Sequence, residues 1–296
     1  MSVAGPDLRL PELLVAKVVA EALAEDLGSA GDITTVATVA PGARASGAIA
    51  ARKPGVVAGL QIAEAAFRAL DENVDFEVLI RDGERVQAGQ QIARVAGEAG
   101  ALLTAERVAL NFLGHMSGIA TLTSSYMNKI SGTRAKIIDT RKTTPGLRAF
   151  EKLAVRAGGG LNHRFGLFDA ILVKDNHIIA AGGIGAALNK ARERAGHMVK
   201  VEIEVATIAE LSEALAHKPD AVLLDNMPVA TLKEAVAEVA GRAITEASGG
   251  VNLDTVRAIA ETGVDLISVG ALTHSAPVLD IGLDFEQDGR GPEQGG

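Results

Sequence analysis

Between residues 8 and 27, Leu10, Leu13, Leu14, Val18, Val19, Leu23 and Leu27 recur at helical spacing and share one broad face. Pro11 suits the opening of that helix and Gly28 its end. EDLGSAGDITT (25–35) follows as a loop rich in local side-chain hydrogen bonders. The period then changes. From about 43 to 97, short strand-like runs at 48–51, 56–60, 74–80 and 91–95 are interrupted by Gly and Pro, with one helix at 61–70. This pattern predicts a small α+β sandwich domain with a scaffold role. LLTAERVALNFLGHMSGIATLTSSYMNKI (102–130) reads as one or two helices, with His115 in a structural role and Arg107 as an exposed helix residue.

From 135 onward the pattern becomes regular. Apolar, β-branched runs recur at 136–139, 170–173, 199–205, 221–225, 243–247 and 266–269. Ala-rich helical stretches lie between most of them, at 184–194, 208–215, 231–239 and 253–261. Glu204 and Asp225 are 21 residues apart, as are Asp225 and Glu246, and Val269 follows 23 residues later. That rhythm is one of repeated βα units and predicts a parallel sheet. A barrel is favoured over an open sheet because nearly every strand, and no single switch point, ends in functional groups. Six strands are clear, fewer than the eight of a complete barrel. The tail 286–296 carries no core residues and is expected to be disordered.

Composition narrows the function. The 296 residues are 48% hydrophobic and only 3% aromatic, so the core is built from Ala, Val, Leu and Ile. The chain has no cysteine, which excludes disulfides and thiol catalysis and suits a cytoplasmic protein. No apolar run reaches the ~18 residues that a membrane span requires, and the first residues lack the features of a signal peptide. The net charge of −8 argues against a general nucleic-acid surface. Yet between 136 and 174 eight cations face only Asp139, Glu151 and Asp169. A concentrated positive pocket on an acidic body fits a small polyanion.

The strand ends carry the chemistry. DTRKTTPGLR (139–148) leaves the first barrel strand with Arg141 and Lys142 adjacent, and later ends supply Lys174, Glu202 or Glu204, and Asp225. In a barrel these ends converge on one mouth. GGGLNHRFGL (158–167) adds Asn162, His163 and Arg164 on a glycine-rich approach. EASGGV and SVGALT lie one βα unit apart, and their glycines let backbone N–H groups approach an anion. Barrels frequently hold a phosphate at their last two loops, so a phosphomonoester is expected there. Glu204, nearer the strand end than Glu202, and Asp225 are candidates for holding Mg²⁺ through water, or for orienting ribose hydroxyls.

EDLGSAGDITT, ERVALNFLGHMSGIAT, DTRKTTPGLR, GGGLNHRFGLFDAILVKDNHI, LLDNM, EASGGV and SVGALTHSAP, in that order, resemble the signatures of the quinolinate phosphoribosyltransferase family, also called nicotinate-nucleotide pyrophosphorylase (carboxylating). The resemblance runs from about 10 to 285 and implies an α/β fold with an incomplete, type II phosphoribosyltransferase-like barrel at 113–276. An N-terminal α+β sandwich at 1–112 is completed by about 277–285. It further implies Mg²⁺ as cofactor, and a homodimer or higher homo-oligomer in which Arg107 reaches the partner's site. The implied reaction joins quinolinate to phosphoribosyl pyrophosphate, releasing pyrophosphate and CO₂ and forming nicotinate mononucleotide. Arg107, Arg141 and Arg164, helped by His163 and Lys174, are then expected on the two carboxylates, and Lys142 on the leaving pyrophosphate. Glu204 and Asp225 are expected at the ribose or metal, and Ser248, Gly249, Gly250, Gly270 and Ala271 at the 5-phosphate. Thr140 and Val269 complete the expected substrate-binding set. The alternatives are a phosphoribosyltransferase for another pyridine ring, or a non-catalytic homologue. The retained TRK, NHR, lysine and acidic positions speak against the latter.

Overall fold

The structure, a computed structural model, describes residues 8–286, so the predicted tail lies outside the described residues except for Glu286, whose N–H donates to the Ser46 carbonyl. The chain divides into two compact units. The first runs to Thr121 and takes in 149–158 and the residues from Ala276, and the second holds the remainder. The first change of unit, after Thr121, falls inside a continuous helix.

In the first unit, α1 (Glu12–Leu27) buries Val15, Val19 and Leu23, and packs against α3 (Leu60–Arg68). A short α2 (Ile33–Thr38) interrupts the predicted loop, and its Asp32 cap accepts from the Thr35 N–H at 2.9 Å. The sheet has the order β12-β1-β5-β3, all antiparallel: β1 Arg44–Ala51, β3 Asp75–Val78, β5 Gln91–Glu98 and β12 Ile281–Phe285. A separate ribbon pairs β2 (Gly55–Val56) with β4 (Arg85–Val86), so strand structure ends well short of residue 60. Residues 99–129 form a single helix, α4 (Ala99–Lys129). Its Gly114 and Gly118 sit one turn apart, where the chain returns from the C-terminal side. The Gly114 carbonyl accepts the Leu279 N–H at 3.0 Å, and a Cβ on Gly118 would overlap the Pro277 carbonyl. That close approach is what lets β12 reach β1.

Helix α5 (Arg148–Ala157) was not foreseen. It buries Glu151 and Lys152 together with Phe150, Leu153 and Val155, so charged residues interrupt its apolar periodicity. His115 is structural as expected: its Nε2 lies 3.0 Å from Oε1 of Glu151, which is 0% exposed.

The second unit contains all six expected barrel strands, in the order β6-β11-β10-β9-β8-β7, and every pairing is parallel. They are β6 Lys136–Ile138, β7 Ile171–Val173, β8 Val201–Val205, β9 Ala221–Asp225, β10 Ile244–Ser248 and β11 Leu266–Ser268. Alternation decides which side chains face the core. In β8, Val201, Ile203 and Val205 are buried on one face, which sends Glu202 and Glu204 to the other. The intervening helices are α6 Asp175–Ala181, α7 Ile184–Arg194, α8 Ile208–Ala216, α9 Val229–Val239, α10 Val256–Ala260 and α11 Ala271–His274. Thr207 and Glu210 form a capping box on α8, which places that helix directly after β8.

The barrel is incomplete because β6 and β7 do not pair. Leu161 partly fills the gap: its N–H donates to the Ile137 carbonyl at 2.9 Å, and its carbonyl accepts from the Asp139 N–H at 3.2 Å. Three residues on, Arg164 Nη1 donates to the Ala170 carbonyl at 3.0 Å, just before β7. The NHR segment is thus tied to both edges of the open barrel.

Candidate active site

A cavity of about 230 Å³ lies within the second unit, at the carboxyl ends of its strands. It is lined by Thr140, Arg141, Lys142, His163, Arg164, Lys174, Glu204, Asp225 and Ser248 from the predicted set, together with Glu246 and Ser268. Parallel register explains the convergence: Ser248 is paired with Asp225, and Ser268 with Ile138, the residue before the DTRK turn.

Asp139 locks that turn to the NHR segment. It is fully buried, and it accepts from Asn162 Nδ2 at 2.6 Å and from the His163 N–H at 2.9 Å. The acid of DTRK is therefore a brace and not a ligand. It holds Arg141 and Arg164 in a common wall, and each has a buried Nε with no hydrogen-bond partner. Burial, and then the charge of Arg141, pull the Arg164 guanidinium below its ordinary pKa, with Glu202 and Asp169 opposing. The two guanidiniums thus line one cavity with their buried Nε donors unpartnered, and guanidinium is a group that pairs well with carboxylates.

The acids at the mouth are already oriented. Lys174 Nζ sits 2.5 Å from Glu204 Oε2, and Asn226 Nδ2 donates to Asp225 Oδ2 at 2.8 Å. Glu204 thus shares its charge with a lysine, while Asp225 accepts from a neutral amide, so Asp225 is the freer anion. Both are hard carboxylates lining one cavity, the ligand type that suits Mg²⁺, an ion commonly held by one or two carboxylates plus substrate phosphates.

Lys142 is exposed, and its stem runs close to Gly270: a Cβ there would lie 3.1 Å from Lys142 Cδ. Thr273 Oγ1 donates to the Lys142 carbonyl at 2.7 Å, tying the DTRK turn to α11. Gly249 and Gly250 have φ of +91° and +62°, and a Cβ on Gly249 would overlap Asn226. Gly249, Gly250, Gly270 and Ala271 flank the cavity along the chain without lining it, and Val269 is buried. Arg107 is an exposed residue of α4 and belongs to the first unit, so the second unit assembles its cavity from other side chains.

Besides Ser268, three contributors escaped sequence reasoning. Asn226 lies within the LLDNM block, and its left-handed φ of 52° was the available signal, visible only in the backbone. Thr273 acts through one hydroxyl, which no pattern marks. Glu246 served only to measure the βα repeat, yet it is 1% exposed and lines the cavity.

Comparisons with known proteins agree with this architecture. A family model described as the quinolinate phosphoribosyl transferase N-terminal domain matches residues 32–117, and one described as its C-terminal domain matches 119–284. The chain is 49% identical over 272 residues to a nicotinate-nucleotide pyrophosphorylase [carboxylating] of Mycobacterium leprae, covering 89% of this chain and 94% of the relative. It is 46% identical over 260 residues to a probable enzyme of the same name from Bacillus subtilis, covering 88% and 89%. The solved nicotinate-nucleotide pyrophosphorylase of Francisella tularensis superposes with a TM-score of 0.90 at 40% identity, covering 94% of this chain and 98% of that one. With both halves matched in order and the barrel cavity in place, the chain belongs to the quinolinate phosphoribosyltransferase family.

Proposed function

We propose that this protein transfers the phosphoribosyl group of phosphoribosyl pyrophosphate to quinolinate with decarboxylation, yielding nicotinate mononucleotide, pyrophosphate and CO₂, a step of NAD biosynthesis. The observation that carries this reading is the guanidinium pair Arg141 and Arg164, with their unpartnered buried Nε donors, beside the anions Glu204 and Asp225. Planar forks match adjacent carboxylates on a flat ring, and a carboxylate pair nearby favours positive charge developing on the ribose.

The pyridine nitrogen attacks the anomeric carbon as the bond to pyrophosphate breaks, and Lys142 neutralises the departing oxygens. Asp225 and Glu204 would hold Mg²⁺, which would supply further charge neutralisation to the leaving pyrophosphate. Once the ring nitrogen is quaternary, the carboxylate next to it leaves as CO₂, and its bonding electrons remain on the ring as an ylide that takes up a proton. Positioning and fixed charge do the catalytic work, with no covalent intermediate on the protein. Ser248, Gly249, Gly250, Gly270 and Ala271 hold the 5-phosphate through main-chain groups. A homodimer, in which Arg107 of one copy joins the carboxylate clamp of the other, completes the site. The cysteine-free chain is suited to the cytoplasm.

Purified protein given quinolinate, phosphoribosyl pyrophosphate and Mg²⁺ is expected to form nicotinate mononucleotide and CO₂ in equal amounts. Absence of product from a folded sample would overturn the reading. Product from nicotinate, without CO₂, would assign the site to the single-carboxylate ring.

A further inference from the structure

Beneath the guanidinium pair lies a group of side chains that the reaction itself does not call for. His163 Nε2 is 3.1 Å from Glu202 Oε2 and 3.6 Å from Glu246 Oε2, and these atoms all lie within 4.8 Å of one another. Glu246 is 1% exposed, and its Oε1 is buried without a hydrogen-bond partner. A second cavity, of about 210 Å³, lies toward the amino ends of the strands, and His163, Arg164 and Glu246 line both cavities. These three side chains therefore form the floor of the substrate pocket.

One histidine and two carboxylates have the composition of a divalent-metal set, but the histidine's other nitrogen argues against it. His163 Nδ1 accepts the Arg164 backbone N–H at 2.7 Å, so in the neutral ring the proton sits on Nε2, the atom facing the two glutamates. A metal ligand normally uses the opposite arrangement, with its second nitrogen donating. The cluster is thus a hydrogen-bonded one. Both ring nitrogens of His163 are committed to protein groups, which takes His163 out of proton transfer to substrate.

Two ionised carboxylates packed together under a dicarboxylate substrate would oppose its binding. We propose, resting on the quinolinate reading, that Glu246 is a positioning residue: neutral on the pocket floor, it leaves Glu202 as the single anion that orients His163 and Arg164 under the bound carboxylates. The groups facing Glu246 make this assignment possible. Glu202 comes from β8, and His163 and Arg164 come from the segment bridging the open edge. Ser268 from β11 is uncharged, and the β9 residue in register, Leu223, is apolar. Burial, and then the charge of Glu202, push the Glu246 carboxyl up to about 8, with His163 acting the other way.

Three measurements on the full-length protein test this. Infrared spectra of wild type at pH 7 should contain a protonated-carboxyl band that Glu246→Gln lacks. In steady-state kinetics at pH 7, Glu246→Gln should keep the quinolinate KM within about threefold of wild type. Glu246→Leu, neutral but unable to donate to Glu202, should raise it on the order of tenfold. Between pH 7 and 9 the wild-type quinolinate KM should rise on the order of tenfold, and the Gln variant should lack most of that rise. Quinolinate is fully ionised across this range, so its own charge does not contribute to the rise. The proposal is overturned by a missing carboxyl band, by a large KM increase in Glu246→Gln at pH 7, or by equal alkaline limbs in the two proteins. If wild type does not turn over quinolinate at all, the functional reading fails, while the infrared band still decides whether Glu246 is neutral.

Discussion

Replacing Gly249 with alanine perturbs the loop assigned to the 5-phosphate at a single methyl group. The backbone there has φ of +91°, a region that an L-residue enters at a penalty of about 1 kcal/mol. The new Cβ would overlap Asn226 Oδ1, with Asn226 Cγ only 2.5 Å and Nδ2 2.9 Å away. Asn226 cannot withdraw freely, because its N–H is bonded to the Ser248 carbonyl at 2.9 Å and its amide holds Asp225 at 2.8 Å. Moving the amide aside gives up a hydrogen bond to a charged group, worth about 1.5 kcal/mol. The combined effect is about 2.5 kcal/mol, or roughly 70-fold if all of it falls on binding. Where the loop yields, the loss appears in kcat/KM for phosphoribosyl pyrophosphate. Where it holds, the loss appears in stability by urea unfolding. The quinolinate KM should change by less than about threefold, because the carboxylate clamp lies on other strands. In an Asn226→Gly background the clash disappears, and Gly249→Ala should then cost only the backbone term of about 1 kcal/mol. Unchanged kcat/KM together with unchanged urea stability would refute the argument, as would an equal effect in both backgrounds.

Arg141→Ala should weaken quinolinate binding by about 3 kcal/mol, roughly 150-fold in KM, with Arg141→Lys intermediate because a lysine keeps the charge but not the fork; a KM near wild type for the alanine variant would exclude Arg141 from the clamp. His115→Ala leaves the buried Glu151 one donor short and should destabilise the fold by about 1–3 kcal/mol in urea. His115→Gln should recover part of that loss, and equal stability of all three proteins would contradict the pairing. Glu246 titrates near 8 in the folded protein against an ordinary value of 4.5, so its contribution to stability is fully present below about 4.5 and is lost as pH rises through about 8. The wild-type melting temperature should therefore fall relative to that of Glu246→Gln across this window, and a pH-independent difference between the two would refute the assignment.

The βα rhythm from 136 to 269 determined the parallel sheet, because each strand is a short apolar run that does not depend on its neighbours to be recognised. The same rhythm put Arg141, Lys174, Glu204 and Asp225 at strand ends, and strand ends of a parallel barrel must converge. Helix α5 was not legible, since Glu151 and Lys152 on its buried side resemble a solvated face until their partners are present. The pairing of β2 with β4 and the passage between units inside α4 were also hidden, because each paired stretch is very short and lies far from its partner in the sequence, and a continuous helix leaves no mark at a boundary. Within the site, charge was visible but direction was not. Asp139 looks like any acid beside two cations, and only the returning segment at 159–164 turns it into their brace. Glu202 and Glu204 have the same alternation and the same chemistry, and only nearness to the strand end marked Glu204 for the mouth. Tertiary structure adds the partners, pairing Glu204 with Lys174 and setting Glu202 against His163 and Glu246 on the floor. What the amino-acid sequence determined was the set of groups at each strand end, because periodicity is local. Which of them face substrate and which face each other depended on contacts between segments distant in sequence, which no local pattern encodes.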